Sequence, residues 1–213
     1  MIKKGGVLRA TDLSSALSAL TPALTADNPV TFSGDVVSAV NEFVFISVKV
    51  GGLVSCSVHG KMLQSILEKL GDAKVALSVE ADHLVVRTKS RKLGVSILRD
   101  YKTELDPAAG VEWESAPSAL LEAIKTAAAC VDPLSALSAV HVADGVVEAC
   151  NGARAVRVRV PGLSLPELLL PKIVDSVPAA EEMAHSESWL HFKNDGVIFS
   201  CRVFSARYDK LDS

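Results

Sequence analysis

VVSAVNEFVFISVKVGG (36–52) and VVEACNGARAVRVRVPG (146–162) are two versions of one passage. Each opens Val-Val-x-Ala-x-Asn and closes Val-x-Val-x-Gly, and Val146 lies 110 positions after Val36. A second pair follows, HLVVRTKSRKLGVSIL (83–98) and WLHFKNDGVIFSCRVF (189–204). Here Leu84 matches Leu190, Val86 matches Phe192, Val95 matches Cys201 and Ile97 matches Val203, at an offset of 106. The drop from 110 to 106 predicts a shorter helix before the second strand pair. A repeat covering half of 213 residues is too long for a solenoid unit and fits a duplicated domain of ordinary size.

The composition allows two such cores. With 49% apolar and 22% charged residues, the chain is ordinary globular protein rather than a disordered one. No apolar run reaches the length of a membrane span, and MIKKGGVLRATDL lacks the apolar core of a signal peptide. Cys56, Cys130, Cys150 and Cys201 are scattered without a C-x-x-C pair. They read as buried thiols of a reducing compartment, neither disulfides nor zinc ligands. A net charge of −3 gives no bulk attraction to nucleic acid, so any such contact needs a local cluster of Lys and Arg.

Within each half the order strand, helix, three strands occurs twice. Leu13, Leu17, Leu20 and Leu24 recur at helical spacing and predict a helix over 11–24, which Thr11 or Asp12 can cap. VTF, VVSAV and VFISVKV are β-branched or alternating, with Ser33-Gly34-Asp35 as a turn. LVSCSV precedes a helix over 60–70 carrying Met62, Leu63, Ile66, Leu67 and Leu70, and KVALSVE, HLVVRT and KLGVSIL follow. The second half repeats the plan, with helices over 118–130 and 171–177 and turns at Asp144-Gly145 and Asn194-Asp195-Gly196. YKTELDPAAG (101–110) is polar, contains Pro and Gly, and predicts the boundary between domains 1–105 and 106–213.

The arrangement resembles the DNA sliding clamps, the processivity factors of replication, and most nearly the β subunit of bacterial DNA polymerase III. LLLPKIVDSV (168–177) is similar to the family's Val-Pro-Ala-Lys helix start. VVEACNGARAVRV (146–158) is similar to its Ala-Thr-Asp-Gly-His-Arg-Leu-Ala passage, with Asn151-Gly152 for Asp-Gly and Arg154 in the arginine place. FSCRVFSARYDKL (199–211) and RTKSRKLGVSILRDYKTELD (87–106) resemble domain endings. The resemblance covers nearly the whole chain through the order of its motifs. It implies an α+β clamp fold of two tandem domains, each of two βαβββ motifs, with helices lining a ring and sheets outside. Three departures stand out. There are two domains where the bacterial clamp has three, Ala153 replaces the family's histidine, and the proline before Asp-Tyr is missing from both domain ends.

Catalytic signatures are lacking: no phosphate loop, no dinucleotide fingerprint and no nucleophile elbow is present. EEMAHSESWLH offers Glu181, Glu182, His185 and His191 as metal ligands, but on strands these read as polar strand and turn residues. His59 and His83 read as surface histidines. The expectation is a binding protein with no catalytic residue, no metal and no cofactor.

The helix faces opposite the leucines carry Ser14, Ser15, Ser18 and Thr21, then Lys61, Gln64, Ser65, Glu68 and Lys69, then Glu122, Lys125, Thr126 and Ala129, and last Lys172 and Asp175. By resemblance these faces meet duplex DNA, with Lys61, Lys69, Lys125 and Lys172 as the DNA-binding residues. The resemblance also implies an apolar pocket for short peptides of a polymerase and a clamp loader. Its candidates here are Phe43, Phe45, Tyr101, Leu105 and Val203. Two-domain chains closing a six-domain ring make a homotrimer, whose joining edges are expected near KLGVSIL (92–98) and VHVADGVV (140–147). A bacterial-type sequence on a two-domain plan suggests a bacteriophage clamp working in the cytoplasm of a bacterial cell or infected host. Two alternatives remain open: a clamp-fold interaction protein that binds clamp partners without encircling DNA, and a truncated three-domain clamp.

Overall fold

The computed structural model describes residues 3–25, 28–99, 101, 106–131 and 139–205. Two compact units emerge, one of Met1–Asn41 with Phe45–Asp106, the other of Pro107–Ser213 with Glu42–Val44. The first half runs β1 (Lys3–Arg9), α1 (Ala10–Ala19), β2 (Pro29–Ser33), β3 (Val36–Val40) and β4 (Val44–Lys49). It continues with β5 (Cys56–His59), α2 (Gly60–Leu70), β6 (Lys74–Glu80), β7 (His83–Arg87) and β8 (Lys92–Ser96). The second half has β9 (Glu114–Ser115), α3 (Leu120–Ala128), β10 (Ala139–Ala143), β11 (Val146–Cys150) and β12 (Ala155–Arg159). Then come β13 (Leu168–Pro171), a 3-10 turn (Lys172–Ser176), β14 (Glu182–His185), β15 (Trp189–Asn194) and β16 (Val197–Arg202). This is strand, helix, three strands, four times over, in an α+β fold of antiparallel sheets.

The sheets show how each pair of motifs is bound into one unit. In the first unit the strands run β1-β6-β7-β8 in one sheet and β5-β2-β3-β4 along another. The leading strand of each motif has crossed over: β1 pairs with β6 of the second motif, Arg9 opposite Lys74, and β5 pairs with β2 of the first, Val58 opposite Val30. The second unit repeats this exchange, with β13 beside β10 and β9 beside β14. Backbone hydrogen bonds therefore tie the motifs together as well as their cores. In the first unit that core holds Leu13, Leu17, Val30, Phe32, Leu63, Leu67, Leu77 and Leu84. In the second it holds Leu120, Ile124, Val140, Val147, Leu190, Phe192 and Phe199. Each large apolar side chain so buried contributes about 2 kcal/mol.

Prolines shorten two of the expected helices. The helix expected over 11–24 is α1 followed by a 3-10 turn, Thr21–Ala23, because Pro22 has no N–H to give the Ser18 carbonyl, which accepts from Thr21 Oγ1 instead. Neither Thr11 nor Asp12 caps α1. Strand β1 runs directly into it with Arg9 at the N-cap, and Thr11 Oγ1 donates to Asp72 instead (3.1 Å). The helix expected over 171–177 is the single 3-10 turn, since Pro171 precedes it and Pro178 forces Val177 into extended backbone (ψ 125°). With 5 residues against 11 in α2, this turn explains the fall in the repeat offset from 110 to 106. The thiols are free but not uniformly buried: Cys201 is buried, whereas Cys56, Cys130 and Cys150, at or near element ends, are half-buried.

Candidate nucleic-acid interface

In α2, Leu63 and Leu67 are buried and Ile66 and Leu70 half-buried, which turns Lys61, Ser65, Glu68 and Lys69 outward. Met62, expected among the apolar positions, is 54% exposed, because it sits beside Lys61 rather than on the Leu63–Leu67 stripe. Helix α1 lies alongside, with Gln64 Nε2 donating to Ser18 Oγ (3.4 Å). Two of the outward hydroxyls on this side are committed to nearby backbone. Ser18 Oγ donates to the Ser14 carbonyl (2.9 Å) and Thr21 Oγ1 to the Ser18 carbonyl (2.7 Å). Such a face is polar and wettable.

In the second unit α3 buries Leu120, Ala123, Ile124, Ala127 and Ala128, leaving Glu122, Lys125 and Thr126 outside that stripe. Lys172 is half-buried, and its Nζ donates to the Val131 carbonyl just beyond α3 (3.3 Å). It fastens the 3-10 turn to the end of α3. Across the helical elements Lys61, Lys69, Lys125 and Lys172 stand against Asp12, Glu68, Glu122 and Asp175. Four cations and four anions leave these faces without net charge.

The expected peptide-binding residues meet different environments. Phe45 is 5% exposed within β4, a strand buried on both faces, and is a core residue. Phe43 is 41% exposed, and its ring meets Phe204 edge-on at 6.1 Å. Val203 is half-buried, its N–H donating to the Ser188 carbonyl (2.9 Å). Tyr101 borders a concavity of about 430 Å³ in the first unit, with Phe32, Ile97, Leu98 and Arg99. Leu105 lies outside the described residues.

Glu182 pairs with Lys193, His191 bonds Ser200 Oγ (2.8 Å) and Ser186 Oγ (3.3 Å), and His185 is exposed. Among the described residues no three His, Cys, Asp or Glu converge as a metal site. Burial pushes the Cys56 thiol up to about 11 and raises that of Cys201 as well, so both are protonated and unreactive at neutral pH. One buried chain is missing from the sequence-based expectations. Glu148 (3% exposed) bonds His141 Nδ1 (3.0 Å) and accepts from Arg157 Nε (2.6 Å), while His141 Nε2 faces Glu167 (3.1 Å). The Asp144-Gly145 turn sets His141 opposite Glu148 across β10–β11, and β12 sets Arg157 opposite Glu148. Counting outward from that turn would have found the row.

No protein-family model matches the sequence, and no curated protein matches it either. Solved structures do match the fold. The DNA polymerase sliding clamp of Bacillus subtilis superposes with a TM-score of 0.78 at 14% identity, over 97% of this chain and 66% of that one. The Helicobacter pylori beta clamp bound to a DNA ligase peptide gives 0.79 at 12% identity, over 98% and 68%. The DNA polymerase III beta subunit of Thermotoga maritima gives 0.75 at 16%, over 98% and 66%. The chain thus spans about two thirds of the length of these structures, and its four βαβββ motifs have the fold of the bacterial sliding clamps.

Proposed function

We propose that this chain is the subunit of a ring-shaped sliding clamp that encircles duplex DNA and tethers a DNA polymerase to it. The fourfold βαβββ plan, with its wettable helix faces, supports the reading most strongly. A clamp needs attraction to phosphates without base readout, because base contacts would hold it at one sequence. Exposed Lys61, Lys69 and Lys125 suit that need.

Ring closure calls for open strand edges at both ends of the repeat. Among the described residues β8 itself pairs only with β7, although just past it Ile97 bridges Val58 of β5, and β12 pairs only with β11. The hairpin at 140–147 is interior, since β10 is paired on both sides; β12 is the edge in that sheet. Joined head to tail, β8 of one copy against β12 of the next, three chains would close with both of these edges covered at every junction. The polymerase and a clamp loader would dock by short peptides near Tyr101. A bacteriophage origin and a cytoplasmic site of action belong to the same reading. The charge balance of the helix faces favours a second reading, a clamp-fold interaction protein that does not encircle DNA.

Retention on circular DNA separates the two. Dissociated subunits are allowed to assemble in the presence of nicked circular duplex and then passed over a sizing column in high salt. The clamp reading expects protein to travel with the circle and to be lost once a restriction cut linearises it. Lys61→Glu with Lys125→Glu should lower the log–log salt slope of low-salt binding by about 0.9 for each phosphate no longer neutralised. Equal loss of protein from circles and linear DNA in high salt would favour the second reading.

A further inference from the structure

The hairpin between β7 and β8 and the C-terminal end of α2 enclose a concavity of about 490 Å³ lined by Lys69, Lys74, Lys89 and Arg91. No acidic residue lines it. Other cations nearby are committed: Asp72 holds Arg9 (3.0 Å), and Glu80 holds Arg87 (3.2 Å) and Lys92 (2.6 Å). Lys69, Lys74, Lys89 and Arg91 make no ion pair among the described residues. The loop carrying Lys89 and Arg91 is fixed by Thr88. Its Oγ1 accepts from the Ser90 and Arg91 amides (3.3 and 3.0 Å), and its N–H donates to the Arg91 carbonyl (2.9 Å).

The fold does not require this charge, and the repeat supplies the control. At the 106-residue offset, Lys74, Lys89 and Arg91 correspond to Ala180, Asp195 and Val197. Lys69 has no counterpart, because the 3-10 turn is shorter than α2 by more than a helical turn. One copy of the scaffold concentrates four cations where the other has an acid and two apolar residues.

We propose that this concavity is a binding site for the phosphodiester backbone of DNA, in which Lys74, Lys89 and Arg91 add to Lys69 of α2 three cations that the charge-balanced helix faces lack. The inference rests on the clamp reading for its biological setting, but the site would grip DNA whether or not a ring forms. Four unpaired cations, two of them on a preformed loop, would displace counterions from several phosphates without contacting bases. No aromatic side chain lines the concavity, so the stacking platform typical of single-strand binders is missing and a duplex is the favoured source of the phosphates.

Fluorescence anisotropy over a salt series, with a labelled linear duplex and one of its strands, tests the assignment on the full chain. Lys74→Glu with Lys89→Glu changes the same charge as Lys49→Glu with Arg154→Glu, a control pair of exposed residues elsewhere. All four side chains are exposed, and thermal melts by circular dichroism establish folding. The concavity pair should weaken duplex binding by roughly tenfold more than the control and lower the salt slope by ~1.8, two phosphates at about 0.9 each. The effect on the single strand should be smaller. Equal weakening by the two pairs, or none from the concavity pair, would overturn the site, and weakening confined to the single strand would overturn the duplex assignment. Linear duplex needs no ring, so failure here leaves high-salt retention on circles intact. Failure of that retention leaves this measurement standing.

Discussion

Phe45 is 5% exposed on a strand buried on both faces, so truncating it empties core volume. Phe45→Ala should cost about 3–5 kcal/mol of stability, measured by urea unfolding. Tyr101→Ala, at the rim of the 430 Å³ concavity, should leave the fold standing. In the same series it should weaken the best binder among peptides tiled across the replicative polymerase of the same genome by about 1–3 kcal/mol. Unchanged peptide affinity in folded Tyr101→Ala would move the docking site elsewhere. Phe45 lies within a strand in the sequence and Tyr101 just past one, and periodicity alone could not say which of them a peptide could reach. It marks which residues share a face, but a strand buried on both sides, such as β4, has no free face to mark. The Glu148–His141–Arg157 row is hidden for a related reason: a charged residue inside an apolar strand looks exposed until its cross-strand partners are counted.

At the scale of elements, Gly60 opens α2 against β2. A Cβ there would stand 2.5 Å from Val30 Cγ2 and 3.3 Å from Leu24 Cδ2. Alanine is favoured over glycine inside a helix by about 1 kcal/mol, but Val30 is β-branched and stiff, and overpacking costs about 1–3 kcal/mol. The clash should win: Gly60→Ala is expected to lower stability by about 1 kcal/mol in urea melts. Ser65→Ala, on the outward side of the same helix, should raise it by a few tenths. A stabilised Gly60→Ala would mean that the helix start has room to shift. The helices with leucines at three- and four-residue spacing were legible, and so were most strands, because each apolar pattern agrees with its burial. Strand β1 was not. Its Gly5-Gly6 pair weakens any strand signal, and the reason for it lies 46 residues away, where Gly6 N–H donates to the Gly52 carbonyl (2.6 Å) and a Cβ on Gly5 would stand 2.5 Å from that oxygen. Such a close backbone approach is invisible until the partner segment is known.

At the scale of the molecule, the duplication was readable from one repeated passage, and the repeat is what gives assembly its logic. The exchange of leading strands between motifs ties each unit internally, and β8 and β12 are edge strands of the two four-stranded sheets, with β1 and β13 at their other ends. An isologous dimer would pair like edges and leave the other kind bare, whereas head-to-tail joining uses one of each at every junction. Ring closure around DNA is the central claim, and the mass of the native assembly in solution tests it most directly. Light scattering on the purified chain at rising concentration should find three times 22.4 kDa, about 67 kDa, with dissociation on dilution. A stable dimer of about 45 kDa, or a 22.4 kDa monomer at every concentration, would contradict the ring.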